Sequence, residues 1–394
     1  MTALRLPAAD GNPVSYELGA PGSWRKPSRP FTSRIAYAAA HVVPVPLADN
    51  TPGAPAVIDW DTTLAYRHEL WSYGLGVADA MDTAQRGMGL DWPATQELIR
   101  RSGAEAAAAG GQLACGAGTD QVDLGTLPSG RAGLDRVVEA YREQIEVVTS
   151  AKARVIVMAS RALAHVARTP EDYRYVYDTL LSEVSEPVIL HWLGPMFDPA
   201  LAGYWGSGDV PAATATFTGL VRDHAAKVDG VKVSLLDAAH ETALRAELAT
   251  LPGRVRLYTG DDFNYPELIH GDGTHHSDAL LGIFAAIYPA ASTALQAYDD
   301  GRSAEGRAIL DSTRELGQHL FAAPTFYYKT GVAFLSWLNG RQPGFSMVGG
   351  LQAGRSVPHL VRAFQLADRA GLLLDPEVAA HRMGLLLAVH GFDV

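Results

Sequence analysis

The sequence predicts an α/β protein built on a closed (β/α)8 TIM barrel with a C-terminal helical extension. Three observations lead there. Between about residues 34 and 290, short apolar runs alternate with segments of helical period, the pattern of βα units on a parallel sheet. Eight such runs can be placed, which suits a closed barrel better than an open doubly wound sheet. No G-x-G-x-x-G follows the first run, which argues against a dinucleotide-binding Rossmann fold. The 394 residues accommodate one barrel, a unit of about 250 residues or more, plus additions.

Taken in order, residues 1–33 are rich in Pro and Gly and read as an extended N-terminal arm with a short hairpin. The barrel domain is placed at 34–290, with strands at 34–43, 76–81, 112–116, 154–159, 188–192, 230–235 and 255–259 and a weaker one near 273–277. Helices of apolar spacing fall between them at 62–73, 93–109, 134–149, 170–183, 214–227 and 238–249. Residues 291–394 read as almost all helix, with segments at 292–298, 304–322, 329–338, 357–370 and 379–389 following one at 280–288. Neither an internal repeat nor a low-complexity tract is present.

Composition narrows the function. Nearly half the residues are apolar, so a large core can form. A net charge of −11 with dispersed Lys and Arg argues against nucleic acid and against an anionic membrane surface. The single cysteine, Cys115, forms no intrachain disulfide and lies in an apolar run, where it reads as a small buried hydrophobe. No apolar stretch reaches the roughly 20 residues of a membrane helix, and the N-terminus lacks the apolar core of a signal peptide. The expectation is a soluble cytoplasmic protein acting on a small molecule.

The chemistry is expected at the C-terminal ends of the strands. The run 228–237, V-D-G-V-K-V-S-L-L-D, sets a lysine in a short apolar strand. Lys is almost never fully buried unless paired or used. Burial lowers the amine's pKa, and a neutral amine attacks a carbonyl to form a Schiff base. Lys232 is the candidate nucleophile; the alternative is a lysine that snorkels or pairs with Asp229 or Asp237. After the second strand, the Thr83 hydroxyl and the Gln85 amide could hold a substrate carboxylate or hydroxyl; the alternative is an N-cap at Asp82 or Thr83. Ser160-Arg161 follows the fourth strand, where Arg161 could clamp a substrate or form a surface ion pair.

His191 closes the fifth strand as an acid or base, or as a core histidine. The loop at 198–209, with Tyr204 and Trp205 between glycines, reads as a mobile aromatic lid or a packed turn. Gly260-Asp261-Asp262 closes the seventh strand with paired carboxylates, one of which could instead cap the next helix. Then comes H-G-D-G-T-H-H-S-D at 270–278. Its histidines lack helical ligand spacing, and His275 and His276 as strand neighbours point to opposite faces, so no metal site is assigned.

The order of these pieces resembles the dihydrodipicolinate synthase and N-acetylneuraminate lyase superfamily, and more narrowly a divergent, dihydrodipicolinate synthase-like branch of unknown function. The likeness covers about residues 34–370. It rests on Ile58-Asp59-Trp60 before the first helix, Met81-Asp82-Thr83-Ala84-Gln85 in place of G-T-T-G-E, and Ala114-Cys115-Gly116-Ala117-Gly118-Thr119 for A-G-V-G-T. Pro187-Val188-Ile189-Leu190-His191-Trp192 stands for P-V-I-L-Y-N, Gly230-Val231-Lys232 for G-I-K and Gly260-Asp261-Asp262 for G-D-D. The resemblance implies that Lys232 forms the Schiff base and that the chain is a homo-oligomer, dimer or tetramer.

The departures shape the substrate. Asp82 replaces one loop threonine, which disfavours a pyruvate carboxylate by charge, and the relay tyrosine after the fourth strand has no counterpart apart from Ser160-Arg161 or His165. The expected function is a Schiff-base lyase, aldolase or dehydratase acting on a keto-sugar or sugar-acid-like carbonyl compound, with no cofactor. Lys232, His191 and Ser160 are the catalytic candidates. Asp82, Thr83, Arg161, Gly260, Asp262, His275 and His276 are the substrate-binding candidates. One alternative is a sugar isomerase or epimerase whose divalent metal is held by Asp262, His191, His240, Glu241 and a cluster histidine. Another is a non-catalytic sugar-binding barrel.

Overall fold

A computed structural model describes residues 2–8 and 11–392. Met1, Ala9 and Asp10 of the N-terminal arm and residues 393–394 of the extension lie outside the described residues. The arm begins with an antiparallel hairpin, β1 (Ala3–Pro7) and β2 (Pro13–Glu17). It docks far away in sequence, where the Tyr16 hydroxyl donates to Asp368 at 2.8 Å.

Eight parallel strands then close into a barrel: β3 (Ala36–Ala39), β4 (Gly76–Asp79), β5 (Leu113–Ala117), β6 (Arg154–Val157), β7 (Val188–Leu193), β8 (Val228–Ser234), β9 (Arg256–Thr259) and β10 (Asp278–Leu281). They pair in sequence order, and β10 returns to β3. Side chains alternate between the lumen and the helical layer. Tyr37, Ala39, Ala78, Ala114, Ile156, Ile189, Tyr258 and Leu280 form the inner core, and the much larger outer core lies between strands and helices.

Local sequence sets the helix starts. Asp59 accepts from the Thr62 amide at 3.0 Å to begin helix Trp60–Ser72, and Thr169 and Asp172 form a capping box ahead of Pro170 for helix Pro170–Glu183. Behind β4, the Arg67 guanidinium grips both oxygens of Asp79 at 2.8 and 3.0 Å, with both side chains fully buried. At the N-terminal end of the barrel, Tyr258 donates to Asp229 at 2.7 Å, Arg154 pairs with Asp229 at 2.6 Å and Arg256 with Asp278 at 3.0 Å. This polar plug closes the end opposite the expected site.

The last strand corrects the sequence reading. The segment expected as a strand near 273–277 is a loop, and β10 begins only at Asp278. Gly271 and Gly273 take positive φ there, which suits a turn and not a strand. After β10, helix Ile283–Asp299 runs through residue 290, bending at Ile287 ahead of Pro289. Helices Ser303–Leu320, Tyr328–Leu338, Val357–Arg369 and Pro376–Val389 complete the extension. No helix among the described residues is long and apolar enough to cross a membrane.

Candidate active site

Strand register brings the first two groups together. In the β7/β8 ladder His191 stands opposite Lys232, and in the β8/β9 ladder Lys232 stands opposite Tyr258, a lumen residue. Lys232 therefore points into the barrel, where it is 5% exposed. Among the described residues its amine has neither a hydrogen bond nor an ion pair; Asp82 and Asp262 act on it through space. Burial lowers its pKa against the pull of those two carboxylates. Gly260 makes room for it: a Cβ there would lie 2.1 Å from Ser234 Oγ and 3.0 Å from Lys232 Cε.

The loop after β4 carries the opposing charge. Its backbone takes positive φ at Ala80 and at Gln85, conformations that L-residues adopt at a cost. This folds Asp82 and Thr83 back under the Tyr328 phenol, which donates to Asp82 at 2.7 Å and bonds Thr83 Oγ1 at 2.5 Å. Burial alone would raise the Asp82 carboxyl. The Lys232, Lys329 and His191 charges and the Tyr328 hydrogen bond outweigh it and hold Asp82 below the ordinary carboxylate value.

Asp262 has the opposite fate. Burial, with Asp261 and Asp82 nearby, raises its carboxyl well above the ordinary value, although the Ile283 amide donates to it at 2.8 Å and Lys232 opposes the rise. Asp261 is a turn cap, accepting from the Phe263 and Asn264 amides at 2.9 and 3.0 Å. Of the two carboxylates that act on the amine, Asp82 sits low and Asp262 high, an arrangement that separates a base from an acid.

His191 is buried, and burial with the Lys232 charge drives its pKa well below the usual value. Its Nε2 lies 3.3 Å from Ser234 Oγ, and its Nδ1 has no hydrogen-bond partner. Ser160 Oγ caps the helix Arg161–Val166 through the Leu163 amide at 2.9 Å and bonds Thr119 Oγ1 at 2.6 Å. Arg161 pairs with Asp198 at 2.6 Å on the rim.

A cavity of about 220 Å³ opens at this end of the barrel, with Asp82, Met88, Ser160, Arg161, Asp198 and Lys329 in its wall. Lys232 is not part of that wall; Asp82 is the residue that faces the cavity and also acts on the amine.

Several expected residues lie elsewhere. His275 and His276 precede β10, so they sit at the plugged end of the barrel, far from the C-terminal strand ends, and their placement beside Asp262 is corrected. The reason is the displaced eighth strand. Tyr204 and Trp205 form no lid: they are 3% and 1% exposed and pack with Tyr173, Tyr177 and Phe217. The ligand set of the metal alternative does not converge. His240 and Glu241 are on the outer helix Ala238–Leu248, where Glu241 accepts from Thr259 and Ser277. No group of three or more metal-ligating side chains occurs among the described residues.

Tyr328 and Lys329 were not foreseen from the sequence. A signal existed, since Tyr327-Tyr328-Lys329-Thr330 puts a lysine at the head of an apolar helix, just as Lys232 sits in an apolar strand. Nothing local ties that helix to the barrel mouth.

Comparison with known proteins assigns the family. Residues 4–392 match the model described as Protein of unknown function (DUF993). The chain belongs to that DUF993 family. No curated protein matches it. Among solved structures, this DUF993 chain is similar to a prophage protein of the dihydrodipicolinic acid synthase family from E. coli K12 in complex with pyruvate. That match has a TM-score of 0.65 at 14% identity over 86% of this chain and 99% of that one. It is also similar to a monomeric dihydrodipicolinate synthase variant, with TM-score 0.62, 13% identity and coverage of 88% and 100%. The dihydrodipicolinate synthase of Thermotoga maritima gives 0.62, 12%, 86% and 98%. The likeness is one of fold, and the fold is that of the dihydrodipicolinate synthase-like barrels that the sequence resembles.

Proposed function

We propose that this DUF993 protein is a Schiff-base lyase or aldolase acting on a hydroxylated ketone. The observation that carries the reading is the Lys232 amine, turned into the barrel lumen, lowered in pKa by burial and free of any ion pair or hydrogen bond among the described residues. Lowering the pKa enlarges the share of neutral amine, the form that attacks a carbonyl.

In the proposed reaction, substrate enters past Asp82 and the neutral Lys232 amine adds to its ketone carbon. The oxygen takes a proton from the Asp262 carboxyl, whose protonated form burial favours. The carbinolamine loses water, with the nitrogen's own proton transferred to Asp262 or to the leaving hydroxyl, and an iminium forms. Asp82, held as a carboxylate, removes the proton of a hydroxyl two carbons from the iminium. The C–C bond between them breaks, its electron pair passes into the iminium to give an enamine, and an aldehyde leaves. The enamine is then protonated on carbon, and water hydrolyses the iminium to release the ketone and restore the amine. Tyr328 holds Asp82 in place through its hydrogen bond. His191 stands opposite Lys232 in the ladder, where burial disfavours its charged form.

Asp82 disfavours a carboxylate next to the reacting carbonyl, so the reading excludes pyruvate as the preferred substrate. Borohydride reduction in the presence of a ketone panel should leave a mass adduct on the tryptic peptide that contains Lys232, absent from Lys232→Met. An active enzyme that gives no adduct with any ketone it consumes would refute the reading.

A further inference from the structure

Lys329 is a second buried amine, and the reaction above does not use it. It is 1% exposed and belongs to the wall of the mouth cavity. Its Nζ reaches the Met88 thioether at 3.1 Å and lies 5.4 Å from the centre of the Tyr328 ring. A thioether is a weak acceptor for a group with three donors. The neighbouring cations of the wall are already engaged, Arg86 with Asp120 and Arg161 with Asp198. Asp82 accepts from Tyr328, and no carboxylate forms an ion pair with Lys329 among the described residues. An unpaired buried cation is costly, and it faces a cavity large enough to hold a small molecule.

The position of the two amines adds direction. Asp82 acts on both, but the other carboxylate acting on Lys232 is Asp262, whereas Lys329 feels Arg161 and Asp198. Asp82 is thus the charged group the two lysines share, and only Lys329 belongs to the cavity wall with it. A substrate whose ketone meets Lys232 and which passes Asp82 into the cavity can bring its far end to Lys329 in the cavity wall.

We propose that Lys329 anchors an anionic group of the substrate, so that the substrate class is a hydroxy-keto acid whose carboxylate is separated from the ketone by several bonds. This rests on the reading that the cavity receives a carbonyl compound, and it adds the charge and the spacing that the compound must have. Burial draws the Lys329 amine down to about 8, so at neutral pH it remains mostly charged and able to hold an anion. The same logic sets specificity: a 2-keto acid brings its carboxylate against Asp82, and a neutral keto-sugar leaves Lys329 unmatched.

The probes are 4-oxopentanoate, its neutral amide 4-oxopentanamide, and pyruvate. In the wild-type protein, borohydride should trap 4-oxopentanoate on Lys232 at concentrations about tenfold lower than the amide, the worth of one charge-assisted hydrogen bond. Lys329→Met should erase that preference while still trapping the amide, which also shows that the variant is folded. Saturation-transfer NMR on Lys232→Met, which cannot form the imine, reads the anchor separately: 4-oxopentanoate should bind and the amide should not. Binding there with no trapping in wild type would sink the Schiff-base reading and leave the anchor standing. Equal trapping of acid and amide, a preference that survives Lys329→Met, or trapping of pyruvate ahead of 4-oxopentanoate would overturn the anchor.

Discussion

The Tyr328 phenol donates a 2.7 Å hydrogen bond to the Asp82 carboxylate across 246 residues of sequence. It ties helix Tyr328–Leu338 of the C-terminal extension to the loop after the second barrel strand, and the same hydroxyl lies 2.5 Å from Thr83 Oγ1. The extension is therefore part of the site: it supplies a phenol to the carboxylate and an amine, Lys329, to the cavity wall.

Tyr328→Phe removes one of the influences that keep Asp82 ionised. The Asp82 pKa should rise, so the acid limb of the pH dependence of adduct formation should move to higher pH. Loss of positioning should slow trapping by about tenfold or more. Because the ring still fills its place, stability should fall by only about 1 kcal/mol, read from denaturant midpoints.

Gly260→Ala tests the space around the amine. The new Cβ would meet Ser234 Oγ at 2.1 Å, the Val233 carbonyl oxygen at 2.7 Å and Lys232 Cε at 3.0 Å. We expect a loss of about 1–3 kcal/mol in stability from overpacking, together with slower trapping on Lys232. Unchanged trapping kinetics in a folded variant would show that Lys232 does not depend on this gap.

Glu241→Gln should change the pH dependence of stability. Burial pushes the Glu241 carboxyl up from 4.5 to about 8. A raised acid means that the native state binds its proton more tightly than the unfolded state. The stabilisation is complete below about pH 4.5 and is lost as the pH rises through about 8. The glutamine variant removes the titration, and it can still accept from one of the Thr259 and Ser277 hydroxyls while its amide donates to the other. Above pH 8 it should therefore exceed wild type by something of order 5 kcal/mol. Unfolding titrations at acid and alkaline pH give the comparison.

Arg67→Met leaves Asp79 buried without its cation, and it also strips donors from the His41 and Thr63 carbonyls, now bonded at 2.6 and 2.9 Å. The cost should be about 3–5 kcal/mol in chemical denaturation. Pairing the change with Asp79→Leu should recover much of that loss, because the unpaired charge is then gone.

Seven of the eight barrel strands were legible in the sequence because each is a short apolar run between helical segments, and runs such as V-I-L-H-W-L at 188–193 are buried on both faces. The eighth is not legible because A-L-L merges into the apolar helix that follows, with no polar break to mark the strand's end. Trp205 misled in another way. Glycines on either side suggested mobility, but its indole found Tyr177 at 4.6 Å and Phe217 at 4.9 Å, contacts that no local pattern encodes.

By itself the sequence determined a lysine within a buried strand, a carboxylate pair at the end of the next strand and the alternation of elements that makes a barrel. These follow from hydrophobic period and from the cost of burying charge, which act over a few residues. Tertiary structure alone decided which charges meet: Tyr328 with Asp82, Lys329 with the cavity, and the histidine segment at the far end. Closing the barrel and folding the extension over its mouth sets those distances, and electrostatic coupling depends on distance in space and not on separation along the chain.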